Sequence, residues 1–274
     1  MVVIVPPLAE RDDREQPIVA TRVSGAVTLA SEHVRQGVDG VRTVVASDGR
    51  DEKTPNQHLP AGRAEFGGDV FEQYAEAGVL LAGAEVDAIE VNVSCPNLED
   101  RSRIFAHSIE ATTEVIEAVR RADLGLPVLA KLSPNTDELP EIAEAAVRAG
   151  ADVLTLVNTV LGMVIDTATG RPALGRGGGG LSGPAIHPVA VRAVYDVRAS
   201  HPTLPIIGVG GVTDADTALE LLMAGANAVQ VGTATFGDPR AALRVLDDLR
   251  VTLWTRGIGA VRDVVGIAHR GGRA

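Results

Sequence analysis

The sequence PIIGVGGVTDADTALELLMAGANAVQVG, at residues 205–232 of this 274-residue chain, contains one complete repeat unit. Its two ends, 205–210 and 227–232, are short and nearly continuous apolar runs, typical of strands buried on both faces. Residues 214–226 between them have helical periodicity, and Gly225 stands where that helix is expected to end. A strand, a helix and a second strand in this order predict a βαβ unit with parallel strands.

The same alternation extends outward in both directions. The predicted strands are residues 87–93, 127–132, 152–157, 205–210 and 227–232, and the predicted helices are 70–83, 109–122, 136–150, 188–200, 214–226 and 239–257. We expect Thr136 to cap one helix and Pro188 to lie in the first turn of another. Because the last strands end in glycine-rich turns, this α/β pattern favours a TIM-type (β/α)8 barrel over a doubly wound sheet.

The start of the chain differs from the rest. Residues 1–63 contain charge runs and three weak apolar runs, VVIV, PIVATRV and VRTVVAS, which short or polar stretches separate. We therefore predict a divergent and partly disordered N-terminal segment, residues 1–63, followed by a barrel domain, residues 64–274. The barrel is expected to be incomplete or irregular in its first two or three strands.

Charge and composition exclude several classes of function. The net charge is −11 and aromatic residues make up 3% of the chain, which argues against a nucleic-acid partner. The single cysteine excludes an internal disulfide and fits a reducing compartment. The sequence has no signal-like segment, no membrane-length apolar run and no metal-ligand motif, so we expect a cytoplasmic protein without a metal.

A polar turn follows the first of the predicted barrel strands. The sequence VNVSCPN, residues 91–97, places Asn92, Ser94, Cys95 and Asn97 at the carboxyl end of that strand, where barrel enzymes carry their chemistry. Amide side chains suit a polar planar ligand. A thiol in such a turn can act as a base, and the alternative is that Cys95 is a small buried hydrophobic residue.

The next two strands also end in polar residues. Lys131 is one of only two lysines in the chain and lies inside an apolar strand, which indicates a specific need for charge unless its stem merely reaches the strand end. Asn158 and Thr159 follow the third strand, either as site residues or as an ordinary strand-to-loop transition. Residues 161–184 then form a long connection that is either a lid or binding loop or a flexible linker.

Glycine-rich turns follow the last two strands. The sequences GVGGV and QVGTATF place Gly210, Gly211, Gly232 and Thr233 where late barrel loops commonly bind phosphate through backbone N–H groups. Gly183, just before the helix at 188–200, would let the backbone come close to a ligand.

These motifs, in this order, closely resemble the class 1 dihydroorotate dehydrogenases. The matching stretches are VNVSCPN, AKLSPN, LVNTVLGMVID, GGLSGPAIHPVAVRAV, PIIGVGGV and AGANAVQVGTATF. The NTVLGM and GLSGPAI stretches are most similar to the class 1B catalytic subunit. The resemblance covers residues 66–270 and is highly specific there.

The resemblance implies a fold, a cofactor and a reaction. It implies a (β/α)8 barrel that binds FMN and oxidises dihydroorotate to orotate in pyrimidine biosynthesis. Cys95 would remove the C5 proton while hydride passes from C6 to the flavin. The substrate would be held by Asn92, Asn97, Asn158 and Thr159, and FMN by Asn92, Lys131, Val157, Gly183, Gly210, Gly211, Gly232 and Thr233.

The resemblance also implies partner subunits and leaves alternative functions open. It implies a homodimer core and an iron–sulfur FAD subunit that passes electrons onward. Residues 1–62 lack the family's early Ala-Ser-Gly turn, lysine-containing turn and asparagine-rich loop. Two alternatives therefore stay open: an inactive, non-catalytic barrel remnant, and a related flavin enzyme acting on another dihydropyrimidine.

Overall fold

The computed structural model describes residues 2–4, 43–46, 74–75, 78–79, 82, 87–94, 108–175 and 177–270. The strands are β1 Val2–Ile4, β2 Thr43–Ala46, β3 Ala88–Asn92, β4 Val128–Leu132, β5 Val153–Leu156, β6 Val160–Gly162, β7 Ile165–Asp166, β8 Arg171–Pro172, β9 Gly179–Leu181, β10 Ile206–Val209 and β11 Ala228–Val231. The α-helices are α1 Ile109–Arg121, α2 Leu139–Arg148, α3 His187–Ser200, α4 Ala215–Ala224, α5 Ala234–Gly237 and α6 Ala241–Thr255. Short 3-10 turns cover Pro184–Ile186, Val261–Asp263 and Ile267–His269.

One seven-stranded sheet organises the chain. Its strand order is β1-β11-β10-β5-β4-β3-β2, and every neighbouring pair is parallel except β1 with β11. Helices connect the parallel strands, which confirms the predicted α/β barrel architecture. In the described part of the chain the ladder runs from β1 to β2 without a pairing between these two, and β1 is antiparallel. The barrel is therefore irregular in its first strands, as the sequence predicts.

The N-terminal segment contributes two strands to this sheet. The apolar runs VVIV and VRTVVAS contain β1 and β2, while PIVATRV lies outside the described residues. In register, Val3 pairs with Gln230 and Val44 pairs with Ile89, so β1 and β2 cover the outer edges of β11 and β3. The division of the chain at residue 63 stays a prediction.

Local signals explain where the helices begin and end. The Ser108 hydroxyl accepts a hydrogen bond from the backbone N–H of Ala111 and caps α1. Asp214 and Thr217 form a capping box at the start of α4, and Gly225 ends that helix with a φ of 128°. As predicted, Pro188 lies in the first turn of α3.

The predicted cap of α2 is wrong. Helix α2 begins at Leu139 and its N-cap residue is Glu138, which makes no side-chain capping bond. The Thr136 hydroxyl instead accepts a hydrogen bond from the backbone N–H of Glu138, 3.1 Å away. Thr136 therefore closes a local turn before the helix, a common competing role for threonine.

The long connection between β5 and α3 forms two short antiparallel ribbons. Strand β6 pairs with β9, and β7 pairs with β8. A flexible linker is therefore the wrong interpretation, because part of the Gly177–Gly180 run belongs to β9. A Cβ on Gly180 would overlap the Thr159 hydroxyl, which shows how closely this ribbon packs on the end of β5.

The two faces of the parallel strands have different partners. Alternate residues, such as Ile89, Leu132 and Leu156, belong to the main hydrophobic core together with the inner faces of α1 to α4 and α6. The intervening residues face the barrel interior. Within the described ranges, no helix is long and apolar enough to cross a membrane.

Candidate active site

The barrel interior changes from apolar to polar along the strands. At the amino ends of the strands, a separate small cluster contains Ala88, Leu129, Val153, Ile207 and Ala228. Two residues further along, the same interior face carries Glu90, Lys131, Thr155 and Gln230. Because side chains alternate with a period of two, the next interior positions lie at the carboxyl ends of the strands, where barrel active sites lie.

A buried polar network occupies the middle of the interior. The Glu90 carboxylate accepts hydrogen bonds from the Thr155 hydroxyl at 2.8 Å and the Gln230 amide at 3.0 Å, both on Oε2. The Nζ atom of Lys131 lies 3.6 Å from Oε1 of the same carboxylate. Glu90, Thr155 and Gln230 are each 0% exposed. The chain thus places a paired positive charge just below the carboxyl ends of the strands.

Two predicted substrate residues meet above this network. The side-chain amide of Asn158 donates to Oδ1 of Asn92 at 2.8 Å. Ser94 is held beside them, since its backbone N–H donates to the same Asn92 oxygen and its hydroxyl donates to the main-chain oxygen of Lys131. Three neighbouring strands therefore present polar groups at one edge of the sheet.

A third asparagine, Asn135, anchors the ribbon to this edge. The Asn135 amide donates to the main-chain oxygen of Thr159, and its Oδ1 accepts from the backbone N–H of Leu161. The backbone N–H of Thr159 donates to Oδ1 of Asn158 at 2.7 Å. Asn135 thus supports the position of the two residues after β5 that sequence analysis assigned to the substrate.

The glycine turns surround a cavity of about 300 Å³. Its lining consists of uncharged residues from three segments of the chain, namely Gly183, Pro184, Gly211, Val212, Thr213, Thr233, Ala234 and Gly237. Gly183 and Gly211 have φ values of 82° and 68°, a backbone conformation that strongly favours glycine. Three of the predicted cofactor residues, Gly183, Gly211 and Thr233, therefore line one cavity.

The other two predicted phosphate residues, Gly210 and Gly232, are sequence neighbours of the lining residues Gly211 and Thr233. Their surroundings differ. A Cβ on Gly210 would lie 2.7 Å from the Cβ of Ala190, so this glycine allows α3 to pack against the turn. Its carbonyl accepts a hydrogen bond from Nδ1 of His187 at 2.7 Å. A Cβ on Gly232 would meet no atom of the described residues within 4 Å. Of these two glycines, Gly232 is the one whose described surroundings leave room for a side chain.

The first turn of α4 lies next to the cavity. Thr213 lines the cavity, and Asp214 follows it as the helix cap. The backbone N–H of Thr217 donates to the Asp214 carboxylate and holds the pKa of that group below its usual value of 3.8. The anionic cap thereby fixes the loop that connects β10 to α4.

Part of the predicted site falls outside the described residues, and part was missed. Cys95 and Asn97 lie outside them, and Val157 is buried with its N–H bonded to Val209. Sequence analysis missed Glu90, Thr155 and Gln230. Each of the three is a polar residue with apolar neighbours on both sides in its strand, the same signal that identified Lys131.

Comparison with known proteins identifies the family. The model of the dihydroorotate dehydrogenase family matches residues 36–253. Three relatives, each named "Dihydroorotate dehydrogenase B (NAD(+)), catalytic subunit", come from Desulforamulus reducens, Desulforudis audaxviator and Geobacillus kaustophilus. They are 44%, 47% and 40% identical to the chain over 204, 206 and 210 residues.

These matches cover 74%, 75% and 76% of the chain and 66% of each relative, so the chain spans just under two thirds of their length. The barrel sheet agrees with the sequence match. The chain belongs to the dihydroorotate dehydrogenase family and is most similar to its class 1B catalytic subunits.

Proposed function

We propose that the chain oxidises dihydroorotate to orotate with FMN, as a step of de novo pyrimidine biosynthesis. The observation that carries this proposal is the hydrogen bond between Asn158 and Asn92, which joins the ends of β5 and β3. It places two amide side chains beside the strand that carries Lys131. Amides can both donate to and accept from a planar ring with carbonyl and N–H groups, and family membership supports the same substrate.

The glycine-lined cavity fits the phosphate of FMN. Among the described residues, its lining contains no charged side chain, and the glycines at 183 and 211 leave backbone atoms accessible. Backbone N–H groups in such turns bind phosphate well. On this proposal Gly210, Gly211, Gly232 and Thr233 hold the phosphate, while Asn92, Lys131, Val157 and Gly183 contact the rest of the cofactor.

The chain itself supplies proton transfer and orientation. Cys95, one residue beyond the anchored Ser94, removes the C5 proton of the substrate. Asn92, Asn97, Asn158 and Thr159 hold the substrate ring and its carboxylate. Bound FMN supplies the hydride acceptor, a chemistry that no protein side chain provides.

We further propose that this chain acts with a second subunit. The relatives are named as catalytic subunits of an NAD(+)-dependent enzyme, which supports an electron-transfer partner. By resemblance that partner carries an iron–sulfur cluster and FAD, and the catalytic chain forms a homodimer core. The single cysteine supports a cytoplasmic location.

The test is flavin binding followed by anaerobic reduction. The purified chain is expected to bind FMN, and dihydroorotate is expected to bleach the flavin absorbance in single-turnover mixing. Dihydrouracil serves as the matched control substrate, because it lacks the carboxylate. Faster reduction by dihydrouracil would favour the related dihydropyrimidine enzyme, and a chain that binds no FMN would contradict the proposal.

Variants of the thiol test the base directly. Cys95→Ala should retain FMN but slow its reduction by at least about 100-fold, the low end of general-base contributions. Cys95→Ser should keep slight activity that rises with pH, because a hydroxyl is the poorer base. Unchanged reduction in Cys95→Ala would exclude the thiol as the base.

A further inference from the structure

The parallel strands β3, β4, β5, β10 and β11 contain two ionisable residues, Glu90 and Lys131. These two face each other inside the barrel, with Nζ of Lys131 3.6 Å from Oε1 of Glu90. The Lys131 side chain is 16% exposed and that of Glu90 is fully buried. A buried ammonium or carboxylate without a partner is strongly unfavourable, so each of these charges depends on the other.

The carboxylate is held in one orientation by its neutral neighbours. Thr155 on β5 and Gln230 on β11 both donate to Oε2, which leaves Oε1 directed at Lys131. In the described part of the chain, Oε1 makes no hydrogen bond, and the ion-pair contact with Lys131 is its polar contact. The two donors come from two different strands, β5 and β11, so the carboxylate cannot turn without breaking at least one of these hydrogen bonds.

The lysine end of the pair belongs to the candidate active site. The main-chain oxygen of Lys131 accepts a hydrogen bond from the Ser94 hydroxyl at 3.2 Å, which ties β4 to the turn that precedes Cys95. Asn92 lies directly across the β3–β4 ladder from Lys131. A change in the charge of this lysine would therefore be felt where the substrate and the cofactor ring bind.

We propose that Glu90 is a positioning residue that keeps Lys131 as an ammonium ion beside the bound cofactor ring, with Thr155 and Gln230 fixing the carboxylate. The inference rests on the proposed function for the identity of that ring. A fixed positive charge favours negative charge that builds up on a neighbouring ring as it accepts electrons. Glu90 acts only through Lys131 and touches neither substrate nor cofactor.

Lysine acylation tests this without measuring activity. The chain has two lysines, so peptide mapping gives the rate at Lys131 and, as an internal reference, at Lys53. Acylating reagents attack the free amine and not the ammonium ion. In Glu90→Gln the Lys131-to-Lys53 rate ratio should rise at least about tenfold, because the amine loses the carboxylate that holds its proton.

Thr155→Val is the matched control. It removes one hydrogen bond from Glu90 and keeps both charges, so the rate ratio should stay within about twofold of wild type, well short of the tenfold expected on removing the carboxylate. A ratio that does not change in Glu90→Gln would overturn the inference. An equal rise in both variants would do the same, because it would report loosened packing instead of lost charge.

Two further measurements keep the result interpretable. FMN titration of the same preparations separates the proposals: failure to bind FMN contradicts the proposed function, whereas FMN binding with an unchanged lysine ratio overturns only the role of Glu90. If Glu90→Gln does not fold, NMR of the wild-type chain labelled with ¹⁵N-lysine tests the inference instead. An ion-paired ammonium exchanges its protons slowly, so Lys131 should give an ammonium signal at neutral pH, and its absence would overturn the inference.

Discussion

Thr155 and Leu156 are consecutive residues of one strand, and both are 0% exposed, yet they belong to different parts of the molecule. Leu156 packs in the main hydrophobic core between the sheet and its helices. Thr155 faces the interior and donates a hydrogen bond to Glu90. The comparison shows that burial alone does not separate residues that form the fold from residues that form the site, because the face of the strand decides.

Substitutions at these two positions sharpen the comparison most. Leu156→Ala should lower the free energy of unfolding by about 2–5 kcal/mol, because it leaves a cavity in a packed core. Thr155→Val keeps the volume and removes one donor from a buried carboxylate, so its cost should be about 1–3 kcal/mol. Urea unfolding with unchanged slope measures both, and a larger cost for Thr155→Val than for Leu156→Ala would contradict the distinction between the two faces.

Substitutions in the glycine turns test the proposed phosphate site at the mouth of the barrel. The glycine must be one whose substitution does not disturb the fold. A Cβ on Gly211 would lie 2.8 Å from the Cβ of His187 and 2.9 Å from the main-chain oxygen of Gly183, so any substitution there confuses folding with binding. Within the described part of the chain, the space around a Cβ on Gly232 is open. Gly232→Asp should therefore leave stability nearly unchanged and weaken FMN binding on the order of 100-fold, since a carboxylate would face the phosphate.

Gly232→Ala is the control for that substitution. It adds the same Cβ without charge, so FMN binding measured by fluorescence quenching should stay within a few-fold of wild type. If Gly232→Asp binds FMN as tightly as Gly232→Ala, the phosphate is bound elsewhere.

The smallest effect is expected on the helix side, at the Asp214 cap. Its pKa is lower in the folded chain than the usual 3.8, so the carboxylate stabilises the fold above that value. This contribution is lost as the pH falls through the folded pKa. Asp214→Ala should cost about 1 kcal/mol at neutral pH, the usual worth of an N-cap.

Asp214→Asn separates the cap from its charge. The amide oxygen still accepts from Thr217, so stability at neutral pH should stay close to wild type. Its stability should also fall less steeply than that of wild type as the pH drops below about 4, because the group no longer titrates. Thermal unfolding across this range gives the answer, and identical acid profiles would show that the carboxylate does not contribute.

The outer face of the sheet was predictable, and the inner face only in part. Continuous apolar runs such as AIEVN and VLTL predict strands buried on both sides, and periodicity with caps predicts the helices between them. The same runs conceal Glu90 and Thr155, because a single polar residue does not change the strand prediction. Lys131 was recognised only because lysine is so rare in this chain.

The remaining differences have physical causes. Strand β1 pairs antiparallel with β11, and a three-residue run carries too little pattern to specify direction. The ribbons of residues 160–181 depend on close packing of Gly180 against Thr159, which no local propensity indicates. The Asn158–Asn92 contact joins residues 66 positions apart, so only the parallel order of the strands brings them together.

The buried polar layer also fixes strand registration. A slip of one residue between β3 and its neighbours would turn Glu90 into the apolar side of the sheet, against the residues that pack on α1, and would direct Ile89 or Val91 at Lys131. Every such misalignment leaves a charged side chain in a hydrophobic environment. The four side chains of this polar layer are Glu90, Lys131, Thr155 and Gln230. They therefore also disfavour barrels with misaligned strands, so that the free energy of one set of strand pairings lies far below that of its alternatives.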